Sequence, residues 1–351
     1  MKYKISKLKI AATLLLFAFI VSAVISMVYF YSQVSRTVST ADTGLTYSYH
    51  YIMIGDAPNT QQWQEMFDAA HDRGKDLGAY VENWGVHLQQ GFTIYDQLEM
   101  AIAANVDGII LSGYNDDEML ALINLAVERD ISIITLITDV PASDRGAFIS
   151  FNDYAIGKLF GQQLLELGEN KEVEESAGNL NVTVLIDTAG DVGLSGMIYR
   201  GIFEAMRDFS DHNVEITSLE VGQVGEFEAE ERIRDLFLNV NRRPDVLIAL
   251  NATNTVIAMQ SLIEYNLVGQ VKILGTSVND SILNGISQEI IYSTVFINER
   301  RMGEKALELL HANVIGGESN DYQIVNVSLI DLDNLQSFIQ QEERRLENES
   351  E

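Results

Sequence analysis

From Ser48 onward, short apolar runs rich in β-branched residues alternate with stretches whose apolar positions recur at helical spacing. HYIMIGD (50–56) predicts a strand and Gln61 to Leu77 a helix; AYVEN (79–83) and Thr93–Ala104 repeat the pair. DGIILSG (107–113), a helix over 116–129, ISIITLI (131–137), FISF (148–151) and a helix over 154–167 complete a first series. After the charged, loop-like stretch 169–179 the pattern restarts. Strands at 182–188, 214–221, 246–250 and 272–277 are interleaved with helical patterns at 195–209, 226–240 and 254–265. STVFI (293–297), a helix over 299–314 and a strand over 324–332 follow, and 335–351 reads as a polar, solvated tail. Strands that are apolar on both faces and separated by helices are parallel strands covered on both sides. Two such series predict an α/β chain with two doubly wound parallel sheets.

The N-terminus is patterned differently. Lys2, Lys4, Lys7 and Lys9 precede 21 residues without a charge, Ile10–Phe30. As a helix that run spans roughly 30 Å, the thickness of a bilayer's hydrocarbon core. A cleaved signal peptide is one reading, with Val21-Ser22-Ala23 as its small-residue site. The apolar run continues past that site, with Tyr29 and Tyr31 at its end, which favours an uncleaved single-pass transmembrane anchor. Either way lysines 2–9 stay in the cytoplasm, and the body is expected outside it, at the cell surface or in the periplasm. Residues 31–46, rich in Ser and Thr, read as a linker.

Composition narrows the function classes. The chain has 351 residues and a net charge of −28, and its first 45 residues hold five of the 23 basic side chains but one of the 51 acidic ones. A body that acidic is repelled by phosphate backbones, so nucleic-acid binding is not expected. The chain has no cysteine, which excludes disulfides, thiolate catalysis, Cys-ligated metals and a lipid-modified N-terminal cysteine.

Catalytic patterns are equally sparse. His50, His71, His87, His212 and His311 form no HExxH arrangement, and Gly193-Leu194-Ser195-Gly196 lacks the spacing of a nucleophile elbow. Gly55-Asp56-Ala57-Pro58 stands after the first strand where a dinucleotide site has its glycine fingerprint. There is no phosphate-binding glycine loop and no calcium loop, so no catalytic residue, cofactor or metal is assigned. Binding is the expected activity, and an enzyme acting on a small polar metabolite is the alternative.

The motif order is more specific. Asn105–Ser112 (NVDGIILS), Ala126–Ile134 (AVERDISII), Thr138–Ser143 (TDVPAS), Phe148–Gly157 (FISFNDYAIG), Pro244–Asn251 (PDVLIALN), Val271–Gly275 (VKILG) and Met302–Ala306 (MGEKA) follow one another through 50–334. In that order the chain resembles the type I periplasmic substrate-binding proteins of the ribose/galactose kind, whose fold is shared with the ligand-sensing core of LacI-type regulators. The resemblance implies two lobes joined by a hinge, 47–151 with about 298–325 and 152–297 with about 326–334. It implies a non-enzymatic receptor that closes on a sugar or sugar derivative, read by an ABC-type permease or by a membrane sensor histidine kinase.

Carried over residue by residue, the resemblance implies ligand contacts from Thr60, Gln62 and Trp63 after the first strand, with Trp63 either a stacking platform or a core aromatic. It also implies Asp139, Phe227 and, at the end of a central strand of the second lobe, Asn251. Ser277 stands where an aspartate is expected, the late glutamine falls near Asn298, and the expected arginine is missing from Gly196-Met197-Ile198. Those departures change hydrogen-bond complementarity and leave the ligand's identity open.

Overall fold

The structure is a computed structural model that describes residues 47–350 apart from 57, 86–90, 170–178, 188–191, 208–212, 222–225 and 318–320. The anchor segment Ile10–Phe30 and the linker lie outside the described residues. Among those described, no helix is long and apolar enough to cross a membrane.

The first series is β1 (Tyr49–Gly55), α1 (Gln61–Asp76), β2 (Ala79–Trp84), α2 (Ile94–Ala104), β3 (Gly108–Ser112), α3 (Asp117–Glu128), β4 (Ser132–Leu136) and β5 (Ala147–Phe151). The second is α4 (Asp153–Glu169), β6 (Asn179–Asp187), α5 (Val192–Ala205), β7 (Asn213–Val221), α6 (Glu226–Leu238), β8 (Val246–Ala249), α7 (Ala252–Glu264), β9 (Lys272–Thr276), α8 (Asp280–Ser287) and β10 (Ser293–Ile297). α9 (Glu299–Val314), β11 (Asp321–Val325), β12 (Val327–Asp331) and α10 (Leu335–Ser350) close the chain.

Two six-stranded sheets result, ordered β11-β5-β4-β3-β1-β2 and β12-β10-β9-β8-β6-β7. Each is doubly wound, with the strand order reversing beside β1 or β6, and every pairing is parallel except that of β12 with β10. Strand burial matches this: β3 and β8 are buried at every position because helices cover both faces.

The chain crosses between the sheets three times, at β5→α4, β10→α9 and β11→β12. Each of these three crossings leaves from the carboxyl end of a strand. Helix α9 returns to the first lobe and packs on α1, where Gly303 allows the approach: a Cβ there would come within 1.9 Å of the Met66 carbonyl oxygen. One apolar cluster runs through both lobes, from Tyr51, Met66 and Leu310 to Phe160, Val184 and Ile202. The outer faces carry separate cores, one around Leu98 and Ile123 and one around Ile233 and Leu262.

Three segments differ from the sequence reading. The single strand expected over 324–332 is two strands in different sheets, divided at Asn326, because one extended run serves both lobes as it crosses. Helix α8, too short for a clear periodic pattern, was not expected. The 335–351 tail is not simply solvated: it forms α10, whose Leu335, Phe338 and Ile339 pack on the second lobe, with Phe338 edge-on to Phe296 at 5.0 Å. The three apolar residues share one helix face, and the polar remainder dominates the composition.

Candidate ligand-binding site

Because the crossings leave from carboxyl ends, the loops after the strands of both lobes meet at the hinge. In open α/β sheets that edge is where ligands bind. The lobes touch there through Asn279 Nδ2, which donates to Gln61 Oε1 at 3.5 Å.

Asparagine caps dominate this edge. Asn251, Asn279 and Asn298 are the N-caps of α7, α8 and α9, and Asn152 stands in the same place before α4. Their Oδ1 atoms accept from the backbone N–H of Asn254 (2.8 Å), Ile282 (2.9 Å), Arg301 (2.9 Å) and Ala155 (3.1 Å). Each bond satisfies a helix-end amide that would otherwise lack a partner. With Oδ1 engaged in the cap, Nδ2 is the end of each side chain that takes no part in capping.

Two loop positions are strained in the same way. Ile137 after β4 (φ 65°) and Ser277 after β9 (φ 68°) both occupy the left-handed region without being glycine. Ile137 N donates to Ile149 O at 2.9 Å while Ser150 Oγ donates to Ile137 O at 3.2 Å. Ser277 N donates to Val295 O at 2.9 Å while Thr294 Oγ1 donates to Ser277 O at 2.8 Å. Such strain persists where the surroundings over-determine it, as at ligand clamps.

Ser277 Oγ also donates to Glu299 Oε1 at 3.4 Å. Glu299 is the first residue of α9 and only 9% exposed. Burial is the largest cause pushing its carboxyl up to about 7, with the negative charge of Glu65 adding to it; the Glu299 backbone amide and Ser277 oppose the rise.

The expected site residues divide. Ser277 and Asn298 are brought together around Glu299, and Asn251 caps the helix after the strand beside β9. Thr60 caps α1 on the first lobe's edge, its Oγ1 accepting from Trp63 N at 3.3 Å, and Gln62 is half-buried in the helix's first turn. Trp63 is not a platform. It is 3% exposed, its Nε1 donates to Asn83 Oδ1 at 3.0 Å, and its ring lies against Gly55, where a Cβ would come within 2.8 Å. Asp139 is not presented to the cleft either. Both its oxygens are held by Arg145, Oδ2 at 2.7 Å from Nη2 and Oδ1 by Nε, and Thr135 Oγ1 adds a bond at 3.3 Å. The pairing also fixes Arg145, whose guanidinium lies over Phe148. Phe227 is the second residue of α6, and its side chain lies outside the described residues.

Sequence reasoning missed Glu299. An acid just inside a helix start is an ordinary dipole-favoured choice, and only its burial sets it apart. Concavities of about 230 and 1060 Å³ open at the opposite, amino-terminal strand edges, beside Lys272 and Asp331 and beside Asp107 and Arg145. Among the described residues no cluster of three or more His, Asp or Glu is placed to hold a metal.

Two doubly wound lobes whose strand ends meet at three crossings define a two-lobed α/β architecture. Residues 51–318 match the family model described as a periplasmic binding protein domain, and the chain belongs to that family. Comparison with curated proteins finds no match. Solved structures share the fold at low identity. A glucose-galactose binding protein, GanP, from Geobacillus stearothermophilus is 21% identical with a TM-score of 0.68, over 81% of this chain and 97% of its own. A carbohydrate transporter solute-binding protein from Agrobacterium radiobacter, solved with D-arabinose, is 18% identical with a TM-score of 0.70, over 82% and 95%. XylFII, solved in an XylFII–LytSN complex, is 20% identical with a TM-score of 0.65, over 80% and 97%.

Proposed function

We propose that this protein is an extracytoplasmic solute-binding receptor whose lobes close on a sugar or sugar derivative, without turning it over. The observation that carries the reading is the meeting of both lobes' strand ends, lined by amide and hydroxyl groups, at a three-stranded hinge. A ligand bridging the lobes shifts the population toward the closed state. Amide donors and a carboxylate suit a polyhydroxylated ligand, and the sugars named for two structural neighbours, glucose-galactose and D-arabinose, support that choice.

Two readers of the closed state are compatible with this: an ABC-type permease and a membrane sensor histidine kinase. The first is supported by the transporter-associated neighbour from Agrobacterium radiobacter, the second by the neighbour found in complex with another protein, LytSN. We further propose that Ile10–Phe30 is an uncleaved anchor holding the lobes near the outer membrane surface, which raises the effective concentration for either partner.

The test is a thermal-shift screen of the full-length protein against pentoses, hexoses and polyols. Saturating ligand at a hundredfold excess over Kd adds about 2.7 kcal/mol of apparent stability. Sugar uptake lost on deletion, with kinase output unchanged, identifies transport; the reverse pattern identifies sensing. No shift with any sugar defeats the reading.

A further inference from the structure

We propose that Glu299 is a ligand-binding residue, the carboxylate at the base of the cleft that accepts hydrogen bonds from hydroxyl groups of an uncharged polyhydroxylated ligand. The inference rests on the solute-binding reading above and names the group that reads the ligand.

Position comes first. Glu299 follows directly on the β10→α9 crossing, with Asn298 as its cap, and is bonded to Ser277 at the carboxyl end of β9. Its carboxyl therefore spans the helix that returns to the first lobe and a strand end of the second. Glu65, the charged group that faces it from the first lobe, lies one helical turn beyond Gln61, which touches Asn279 across the lobes.

Bonding capacity comes second. An ionised carboxylate has about four acceptor sites. The described partners are its own backbone amide and one hydroxyl at the long distance of 3.4 Å. A carboxylate that is this buried and this lightly bonded costs stability, and hydroxyl donors from a bridging ligand relieve that cost.

The surroundings fix the chemical class. At the described edge residues 55–56, 58–60, 113–116, 137–139, 250–253, 277–280 and 298–299, carboxylates, amides and hydroxyls occur without one Lys, Arg or His. Arg145 is held by Asp139. Such groups accept hydrogen bonds from a ligand's hydroxyls.

A pH dependence follows, with the facing groups accounted for. Glu65 on α1 adds negative charge, β10 has no ionisable side chain, and the β9–α8 loop contributes Ser277. On α9 itself Arg300 turns to Asp72 at 4.0 Å and Arg301 to Glu304 at 3.0 Å. Ligand hydroxyls favour ionised Glu299, so binding lowers its pKa and tightens as pH rises through about 7.

The experiment is calorimetric titration of the full-length protein with D-arabinose, D-xylose and D-galactose from about pH 6 to about pH 8. Over that range the ionised fraction of a group titrating near 7 rises about tenfold, and affinity for the bound sugar should rise by the same factor. Glu299→Gln should lose about tenfold or more at the upper pH and show a flat profile, and Glu299→Asp should restore part of both. An unchanged affinity and slope in Glu299→Gln would overturn the assignment while leaving the solute-binding reading intact. If that variant does not fold, the parent still decides. Near pH 7 binding should release about half a proton, read from two buffers of different ionisation enthalpy. Binding without proton release overturns the assignment, and binding of none of the three sugars overturns it together with the sugar reading.

Discussion

Asp107 and Asp245 do the same work in the two lobes. Asp107 Oδ2 accepts from His50 N at 2.7 Å and its own N–H returns to His50 O at 3.0 Å, just ahead of β3. Asp245 Oδ2 accepts from Asn181 N at 2.8 Å and its N–H returns to Asn181 O at 2.8 Å, just ahead of β8. Each aspartate thus fastens the amino end of a central strand to the strand beside it, and each passes its carbonyl to the next strand, at Ser132 or Lys272. The lobes are two versions of one device, and these aspartates lie at the strand ends remote from the cleft.

That placement gives a stability prediction with no binding component. A charge-assisted hydrogen bond to a backbone amide contributes about 1.5–3 kcal/mol. Asp245→Ala should lower unfolding free energy by about that amount in a denaturant titration. Ligand affinity of the folded protein should stay within about threefold of the parent. A larger affinity loss would mean that this end communicates with the cleft.

Trp63 yields a second prediction. A buried indole leaves a cavity when truncated, so Trp63→Ala should cost about 3–5 kcal/mol of stability. Trp63→Phe retains much of the packing and loses the bond to Asn83, at a cost of about 1–2 kcal/mol. If the ring is a core element, Trp63→Phe should leave affinity nearly unchanged at a temperature where it is folded. A tenfold loss there would restore the platform role.

Glu299 has a stability consequence separate from any ligand. Its carboxyl moves from an ordinary 4.5 to about 7 on folding, so the folded state holds the proton more tightly. The stability this provides is fully present below about 4.5 and is lost as pH rises to about 7. The difference amounts to about 3 kcal/mol. Glu299→Gln removes this slope. Its melting temperature should therefore exceed the parent's by more at pH ~8 than at pH ~5. Equal differences at both values would show that the carboxyl is not buried as described.

Particular residues show what the chain made legible. The alternation of strands and helices was readable because parallel strands buried on both faces are apolar throughout, as in Ile109-Ile110-Leu111 and Val246-Leu247-Ile248. The orientation of Trp63 was not, because it depends on Asn83, 20 residues away, and on the bare backbone of Gly55. The ligand role of Asp139 is implied by the resemblance alone, and its pairing with Arg145, six residues on, depends on a loop whose path no periodicity reveals. The break at Asn326 leaves no mark in the hydrophobic pattern, because both halves of the run are extended, in two different sheets. Glu299 was hidden because its burial is made by Ser277 and α1, which only the hinge brings together.

Asn251 gives the last prediction, because its side chain has two ends with separable roles. Oδ1 caps α7 by accepting from Asn254 N at 2.8 Å, and the adjacent Thr255 Oγ1 donates to the Asn251 carbonyl at 2.7 Å, so the helix start is fixed. Asn251→Asp keeps the acceptor, since aspartate caps as well as asparagine, and adds a charge favoured by the helix dipole. It removes the amide donor. Asn251→Ala removes both ends, and losing the cap alone costs about 0.5–2 kcal/mol. If the site uses the Nδ2 donor, Asn251→Asp should lose about tenfold or more in sugar affinity, the worth of a hydrogen bond in a closed site, and less stability than Asn251→Ala, which also loses the cap. Asn251→Ala should lose affinity to a similar extent and stability as well. Thermal denaturation and calorimetry on the two variants separate the roles. If Asn251→Asp binds the sugar as the parent does, Asn251 is a cap and nothing more.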